Sequence, residues 1–364
     1  MQTRILEETF HRFEALDAKI DQGGGQITMD PAPLFDLLIA SVINKLLAGY
    51  RYEEGDNEFA SMKHNLDIMM ESMTPLDQVI FNKYTYKLPF LRDRWSIVAR
   101  PQFEIISLMK RQIKDRQADI ASGRHHIDVN DEGDDYIDAF LIEMKKRKIA
   151  GEDLGFFNED HLAANLLDLW VAGTETTITS LLWACIYLLN HPKVQEKMRA
   201  ELADVTRGNR PVELTDKSQL PYTCAVITEN LRCANFLNFN LLHTTTCETQ
   251  VGDFILPAGT ITTPQLSVIT TEKNEFVNPD QFDPERYFKN KNLEKQVIPF
   301  GMGKRSCLGE GLARAELFLI VSNFIQKYRI AVPEGCEQPS MKQLSLKSLL
   351  KRTRFFEMSV ERVH

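Results

Sequence analysis

The strongest chemical signal in the chain is a single cysteine in the stretch PFGMGKRSCLGE, residues 299–310. A helix predicted over residues 308–326 begins directly after Cys307, and the free N–H groups at a helix start favour an ionised thiolate. Three glycines of the stretch permit positive φ and let the backbone approach a flat macrocycle. They are Gly301, Gly303 and Gly309. We therefore interpret Cys307 as a thiolate ligand to haem iron.

Two neighbours of the cysteine suit the same chemistry. Phe300 is placed to shield the sulfur from water, and Arg305 is placed to pair with an anionic carboxylate such as a haem propionate. The alternative is a buried structural cysteine at a loop-to-helix junction, since free cysteine is among the most buried residue types. The glycine, aromatic and basic residues around Cys307 favour its interpretation as a haem ligand.

These positions carry a family resemblance. The pattern Phe300-x-x-Gly303-x-Arg305-x-Cys307-x-Gly309, followed by Glu310 and Ala313, resembles the haem-binding loop of the cytochrome P450 superfamily. The resemblance implies haem b as cofactor, with Cys307 as the axial ligand to iron and with Phe300, Gly301, Gly303, Arg305, Gly309 and Ala313 lining it. A thiolate ligand pushes electron density to haem iron and favours O–O cleavage. The implied activity is that of a monooxygenase.

A second element is an unbroken helical pattern over residues 158–189, about 48 Å long at 1.5 Å per residue. Its centre reads AGTETT, residues 172–177, where Gly173 costs roughly 1 kcal/mol against alanine. One interpretation is a helix crossing that needs a small residue at Gly173. The other is a local widening of the helix over a haem face, with Ala172 and Thr176 on one side.

This centre also resembles a part of the P450 family, its oxygen-binding helix. The resemblance implies that Ala172 leaves space for O₂ and that Glu175 and Thr176 deliver protons during oxygen activation. It assigns these two residues the catalytic roles.

Further motifs complete the resemblance. Glu229 and Arg232 form an E-x-x-R pair, which the family locks to an arginine in a motif shaped like FDPERY, residues 282–287, so Arg286 is expected to complete a buried triad. His243 matches a family position that contacts a haem propionate. The local path differs from animal microsomal members, which usually carry proline where this chain has Asn238 and Leu242. That difference puts in question the substrate contacts expected of Leu237, Phe239 and Leu241.

Composition and periodicity set the fold class. The chain has 364 residues, 43% hydrophobic and 26% charged, which suits a large globular core. We predict a mostly α protein with small β-sheets: the cytochrome P450 fold lacking its N-terminal part, as one catalytic domain over residues 1–364. Helices are predicted over residues 1–21, 34–48, 58–73, 95–122, 158–189, 192–206 and 222–234, with another beginning near residue 136. A β-hairpin is predicted from strands 247–254 and 260–263 around a turn at residues 256–259.

Charge and cysteine usage exclude several classes. A net charge of −8 without a Lys/Arg-rich arm excludes nucleic acid as a partner. The six cysteines form no C-x-x-C pair, which argues against a zinc site or a disulfide framework. The acidic run 128–135 and the basic run 145–148 are interpreted as solvated surface. No run of 18 apolar residues occurs, so no membrane span is expected in this chain.

In the family alignment Met1 falls near the fourth helix, so we expect an N-terminally truncated chain without the endoplasmic-reticulum anchor, inside the cell and in the cytoplasm. Two functions remain open. The first is a monooxygenase that inserts one oxygen atom of O₂ into a lipophilic xenobiotic, steroid or fatty acid, with electrons from an NADPH-dependent flavoprotein reductase. The second is a non-catalytic truncated remnant with weak haem binding.

Overall fold

Helices dominate the chain, whose computed structural model describes residues 1–81, 85–237, 240–342 and 350–363. The mostly α fold with small antiparallel sheets is as predicted. The helices are α1 Gln2–Gln22, α2 Ala32–Leu47, α3 Asn57–Ser72, α4 Pro75–Ile80, α5 Arg92–Ala121, α6 Tyr136–Ala150, α7 Glu159–Asn190, α8 Pro192–Thr206, α9 Pro221–Ala234, α10 Leu266–Thr271, α11 Arg286–Lys289 and α12 Glu310–Lys327. The strands are β1 Gln26–Met29, β2 His243–Thr244, β3 Thr249–Val251, β4 Phe254–Leu256, β5 Ile261–Thr262, β6 Tyr328–Ala331 and β7 Met358–Arg362.

The chain divides into two units. The first contains residues 1–179, and the second contains the described residues from 180 onward. The single catalytic domain remains a prediction from the family resemblance.

Amphipathic helices build the first unit. The apolar face of α1 places Ile5, Phe13 and Leu16 in the core, each no more than 2% exposed. Helix α2 is apolar nearly all round and buries residues on every side, as expected for a core helix. Helix α6 begins after Asp135, whose carboxylate accepts a hydrogen bond from the Asp138 amide, and it ends at Gly151 with φ +69°. Asp135 is buried, so the last residue of the acidic run is a helix cap and not solvated surface.

Helix α12 is the core of the second unit. Its residues 315–325 are buried on all sides. Asn323 fixes it to the loop that follows α8, because its Oδ1 accepts from the Val212 amide at 2.9 Å and its Nδ2 donates to the Val212 carbonyl at 3.1 Å. Strand β6 continues directly from α12 and pairs antiparallel with β7.

The predicted β-hairpin is wrong in its pairing. Strands β3 and β4 pair with each other around the two-residue loop Gly252-Asp253, where Gly252 has φ +58°. Strand β5 pairs instead with β2, in the register His243 with Thr262. The predicted turn at residues 256–259 closes onto Thr245, whose carbonyl accepts from the Gly259 amide at 2.8 Å. The glycine at 252 supplies the tighter turn, so the hairpin forms there.

Among the described residues, no helix is long and apolar enough to cross a membrane.

Candidate functional site

Cys307 lies in a tightly folded loop. Its amide donates to the Phe300 carbonyl at 2.8 Å, and the Ser306 amide donates to the Gly303 carbonyl at 3.1 Å across a short 3₁₀ turn. Gly301 and Gly303 both have φ +75°, a conformation that other residues rarely adopt. The loop can adopt this conformation because both of these left-handed positions are occupied by glycine.

The thiol lies at the positive end of α12. The helix begins at Glu310, two residues later than predicted, with Gly309 as its cap. A Cβ added at Gly309 would lie 3.9 Å from the Cys307 Sγ, so a side chain there would contact the sulfur. Cys307 is exposed, and its thiol makes no hydrogen bond with any residue that the structure describes. The structural alternative of a buried cysteine is therefore wrong for this position.

Two arginines flank the loop in different ways. The Arg314 guanidinium lies 4.9 Å over the Phe300 ring, and its Nε donates to Glu310 at 2.8 Å. Arg305 is exposed and makes no ion pair within the described part of the chain. One arginine thus holds the ring of Phe300 in place, while the other keeps its donors available.

These residues fit a haem. The group needs an accessible thiolate, a backbone without bulk beside it and cationic donors for its propionates. The thiolate is Cys307, the position without bulk is Gly309, and the cationic donor is Arg305. Ala313 lies one turn into α12 and is only partly exposed. Apolar side chains next to the loop are also uncovered, Leu308 at 92% and Met302 at 73% exposure.

His243 lies in β2 of the same unit and is partly exposed. Nearby, Leu241 is 61% and Leu242 40% exposed, whereas Leu237 is partly buried. Asn238, where the sequence departs from the family pattern, and Phe239, an expected substrate contact, lie outside the described residues.

Glu229, Arg232 and Arg286 come together as a buried cluster. Arg232 donates to both carboxylate oxygens of Glu229 at 2.8 Å, and Arg286 Nε donates at 3.0 Å. The Tyr287 hydroxyl and the Asp283 amide add further bonds to the carboxylate at 2.8 and 2.9 Å. The carboxylate is fully buried yet receives five N–H and O–H donors.

Burial alone would raise the pKa of Glu229, but the hydrogen bonds and charge of Arg232, the Asp283 amide and the charge of Arg286 together outweigh it and hold the pKa of the carboxyl below its ordinary value. Burial lowers the pKa of Arg232, but the hydrogen bonds to Glu229, together with the charges of Glu229 and its neighbours, outweigh burial and raise the pKa. Both side chains are therefore charged at neutral pH. The guanidinium groups also donate to backbone carbonyls of residues 270–281, so the cluster fixes that segment to α9.

In the first unit, the centre of α7 is regular. Residues 159–190 are α-helical throughout, so the predicted local widening is wrong. The Thr176 hydroxyl donates to the Ala172 carbonyl at 2.6 Å, within the helix. Ala172 is exposed and Thr176 partly exposed, on one face.

The glycine of this helix marks a crossing. A Cβ added at Gly173 would lie 2.7 Å from the Cδ1 of Ile43 in α2. Ile43 is buried at 3% exposure, so it has little space to move. The other interpretation of Gly173, a close approach of two helices, is therefore correct.

Glu175 lies on a different face from Thr176 and is 2% exposed. Lys63 of α3 lies close to it. Burial disfavours the charged form of Lys63. Its neighbouring carboxylates, Asp36, Glu175 and Asp67, outweigh burial, so that the pKa of the ammonium is raised. The Lys63 Nζ is 2.6 Å from an Asp67 oxygen and 3.6 Å from one of Asp36.

Two of these contacts escaped sequence reasoning. Tyr287 is the last residue of the FDPERY motif and follows Arg286 directly. Its place in the motif therefore indicates that it could lie near Glu229. Lys63 is more than a hundred residues from Glu175, and nothing in the helical pattern of α3 distinguishes it.

Comparison with known proteins identifies the family of the chain. A family model described as Cytochrome P450 matches residues 1–357. A probable cytochrome P450 cyp-35D1 of Caenorhabditis elegans is 35% identical over 91% of this chain and 65% of its own length. Cytochrome P450 2J3 of Rattus norvegicus is 34% identical over 92% of this chain and 64% of its own length. Cytochrome P450 2U1 of Bos taurus is 31% identical, with 92% and 60% covered.

The chain belongs to the cytochrome P450 family. It spans less than two thirds of the length of these relatives, 65%, 64% and 60% in the order given.

Proposed function

We propose that the protein is a haem-thiolate monooxygenase that inserts one oxygen atom from O₂ into a lipophilic substrate. The observation that carries this proposal is the accessible Cys307 thiol in a glycine-shaped loop at the start of α12. Haem held by a thiolate supplies the oxygen-activating chemistry. Cys307 holds the iron, while Arg305 and His243 bind the propionates.

The test of this proposal is the spectrum of the reduced carbon-monoxide complex. The chain loaded with haem is expected to show the thiolate-type Soret band, and Cys307→Ala is expected to lose it. The matched control is Cys247→Ala, because Cys247 is also exposed but lies in no glycine-rich loop at a helix start. A thiolate-type band that survives in Cys307→Ala, or haem that fails to bind the unaltered chain, would refute the proposal.

The proton-handling roles go to Glu175 and Thr176. Glu175 is a buried carboxylate beside the Lys63 ammonium, an arrangement that keeps a titratable group away from bulk water. The Thr176 hydroxyl is partly exposed and donates to the Ala172 carbonyl of its own helix, and its oxygen can orient a proton donor on the open face. Thr176→Ala is expected to retain haem but to consume electrons without forming an equal amount of product. Unchanged coupling would make Thr176 a structural residue.

The substrate class is proposed to be a xenobiotic, a steroid or a fatty acid. The exposed apolar side chains of Leu241 and Leu242 support a lipophilic ligand in the second unit. A panel with one member of each class, titrated against the Soret band, tests this choice. A shift with polar analogues alone would exclude it.

The electron donor is proposed to be an NADPH-dependent flavoprotein reductase that binds a basic surface of the second unit. This surface consists of Lys289, Lys291, Lys295, Lys304 and Arg314, of which the lysines are exposed. Lys304→Glu is expected to slow reduction more at low salt than at high salt, because screening weakens exposed charges. Lys193→Glu, an exposed lysine of α8, is the matched control. If the rate of reduction of Lys304→Glu relative to the unaltered chain is the same at both salt concentrations, this surface does not bind the reductase.

A further inference from the structure

An aromatic hollow opens on the first unit, between α6, the loop of residues 151–158 and the start of α7. Its volume is about 500 Å³, within the usual range of roughly 300–1,000 Å³ for small-molecule sites. Four of its lining side chains are aromatic: Tyr136, Phe140, Phe156 and Phe157. None of these residues takes part in the proposed monooxygenase chemistry.

The rings of the hollow are held in place by packing and by the loop. The Phe140 and Phe157 centroids are 5.0 Å apart, and those of Tyr136 and Phe140 are 6.2 Å apart. The loop has its own bonds, since the Asp153 carboxylate accepts from the Gly155 amide at 3.0 Å. Phe156 is 78% exposed, so one wall of the hollow is an aromatic ring that faces solvent.

Two lining residues of the hollow, Phe157 and Glu143, already hold a cation of the chain itself. The Arg147 guanidinium lies 4.4 Å over the Phe157 ring, and its Nε donates to the Glu143 carboxylate at 2.7 Å. The face of an aromatic ring attracts a cation electrostatically, and a carboxylate beside it adds a point of fixation. The Arg147 side chain is 33% exposed, so it can leave this position for solvent.

We propose that the hollow is a binding site for an organic cation that combines an aromatic ring with an ammonium group. The ammonium replaces the Arg147 guanidinium beside Glu143, and the ring of the ligand packs against Phe156 and Phe157. The Tyr136 hydroxyl is fixed by the Asn165 Nδ2, which donates to it at 3.1 Å, so this wall of the site is preorganised.

The experiment is a ¹⁹F NMR titration of the full chain with 4-fluorobenzyltrimethylammonium. Its quaternary nitrogen has no lone pair and therefore cannot ligate haem iron. Glu143→Gln is expected to weaken binding by about twofold to fivefold, within the range of an exposed ion pair. Phe157→Leu is expected to weaken it by about twofold to fivefold. Glu152→Gln, an exposed carboxylate of the same loop outside the lining, is the matched control and is expected to change nothing.

Two further measurements separate this site from unspecific attraction. Arg147→Gln is expected to tighten binding, because the internal competitor is removed. The uncharged isostere, in which carbon replaces the nitrogen, is expected to bind more weakly than the ammonium. Binding that is equal for Glu143→Gln and the unaltered chain, or equal for the charged and uncharged probes, would overturn the proposal. Glu143 is partly exposed, so its variant is expected to fold even where Phe157→Leu does not.

Discussion

The Glu229 cluster and the Cys307 loop, two motifs of the second unit, differ in whether their polar groups have hydrogen-bond partners within the protein. In the cluster, a fully buried carboxylate receives five N–H and O–H donors from the protein. In the loop, an exposed thiol and the guanidinium of Arg305 have no partner among the described residues. Both motifs combine few residues at fixed spacing, yet one is complete in itself.

The difference separates a structural motif from a binding motif. Buried charges are tolerated only when the protein satisfies them, so the cluster must be complete before the fold is stable. A ligand site must instead keep its donors and its nucleophile accessible, and it keeps its shape through backbone conformation. In the loop, this shape comes from Gly301 and Gly303 at φ +75°.

Breaking the cluster is expected to have the largest effect on stability. Glu229→Gln leaves Arg232 and Arg286 buried without their counter-ion, which costs about 3–5 kcal/mol of unfolding free energy. Urea denaturation followed by circular dichroism measures it. Glu310→Gln, which breaks the partly exposed pair with Arg314, is the control and should cost about 1 kcal/mol or less. Similar losses in the two variants would contradict the contrast.

The same cluster is expected to make stability depend on pH. The folded pKa of Glu229 lies below its ordinary value of 4.5, so its contribution is complete above that pH. This contribution is lost as the pH falls through the folded pKa. It amounts to about 1.4 kcal/mol of unfolding free energy for each unit by which folding lowers the pKa of Glu229. The difference in unfolding free energy between the unaltered chain and Glu229→Gln should therefore be constant above about pH 5 and shrink as the pH falls below about 4.5. The difference for Gly301→Ala, which removes no ionisable group, should stay constant.

The backbone shape of the loop is tested by Gly301→Ala. Its positive φ disfavours a Cβ, which would also lie 3.2 Å from the Asn240 Nδ2, so the variant should lose about 1–2 kcal/mol. Gly311→Ala is the control, because a Cβ there meets no atom within 4 Å and lies in a helix. That variant should gain about 0.5–1 kcal/mol. A loss in both variants would show that the loop is no stricter than the helix.

The smallest effect is expected for the thiol itself. Cys307→Ala in the haem-free chain should change the unfolding free energy by no more than about 0.5 kcal/mol, because an exposed side chain without a hydrogen bond is lost. Cys185→Ala, at a buried cysteine, should cost about 1 kcal/mol. A larger loss for Cys307→Ala would show that the loop depends on its cysteine for its fold.

Periodicity was sufficient to predict the long helices. Helix α7 was expected over residues 158–189 and is found at Glu159–Asn190, because its pattern is long and its end carries Asn190-His191-Pro192. The pairing of the short strands was not predictable in the same way. Strands β2 and β5 have two residues each, too few for an alternating pattern. The turn at Gly252-Asp253 pairs β3 with β4, and β5 pairs with β2 instead.

Contacts between distant residues also escaped prediction. The crossing at Gly173 was one of two interpretations, and only the position of Ile43 decided between them. The Lys63 ammonium beside Glu175 depends on how α3 packs in the first unit, which spacing along the chain does not encode. In the Glu229 cluster the long-range partner Arg286 was expected, because it belongs to a motif with its own sequence signal.

The crossing of α2 and α7 limits how this sequence can change. With 2.7 Å between the Cδ1 of Ile43 and a Cβ at position 173, a side chain at 173 requires that of residue 43 to shift or to be smaller. We expect covariation: relatives with alanine at 173 should carry valine or a smaller residue at 43. Substitutions at the two positions are then epistatic, and an evolutionary path through alanine at 173 is open only after position 43 has become smaller.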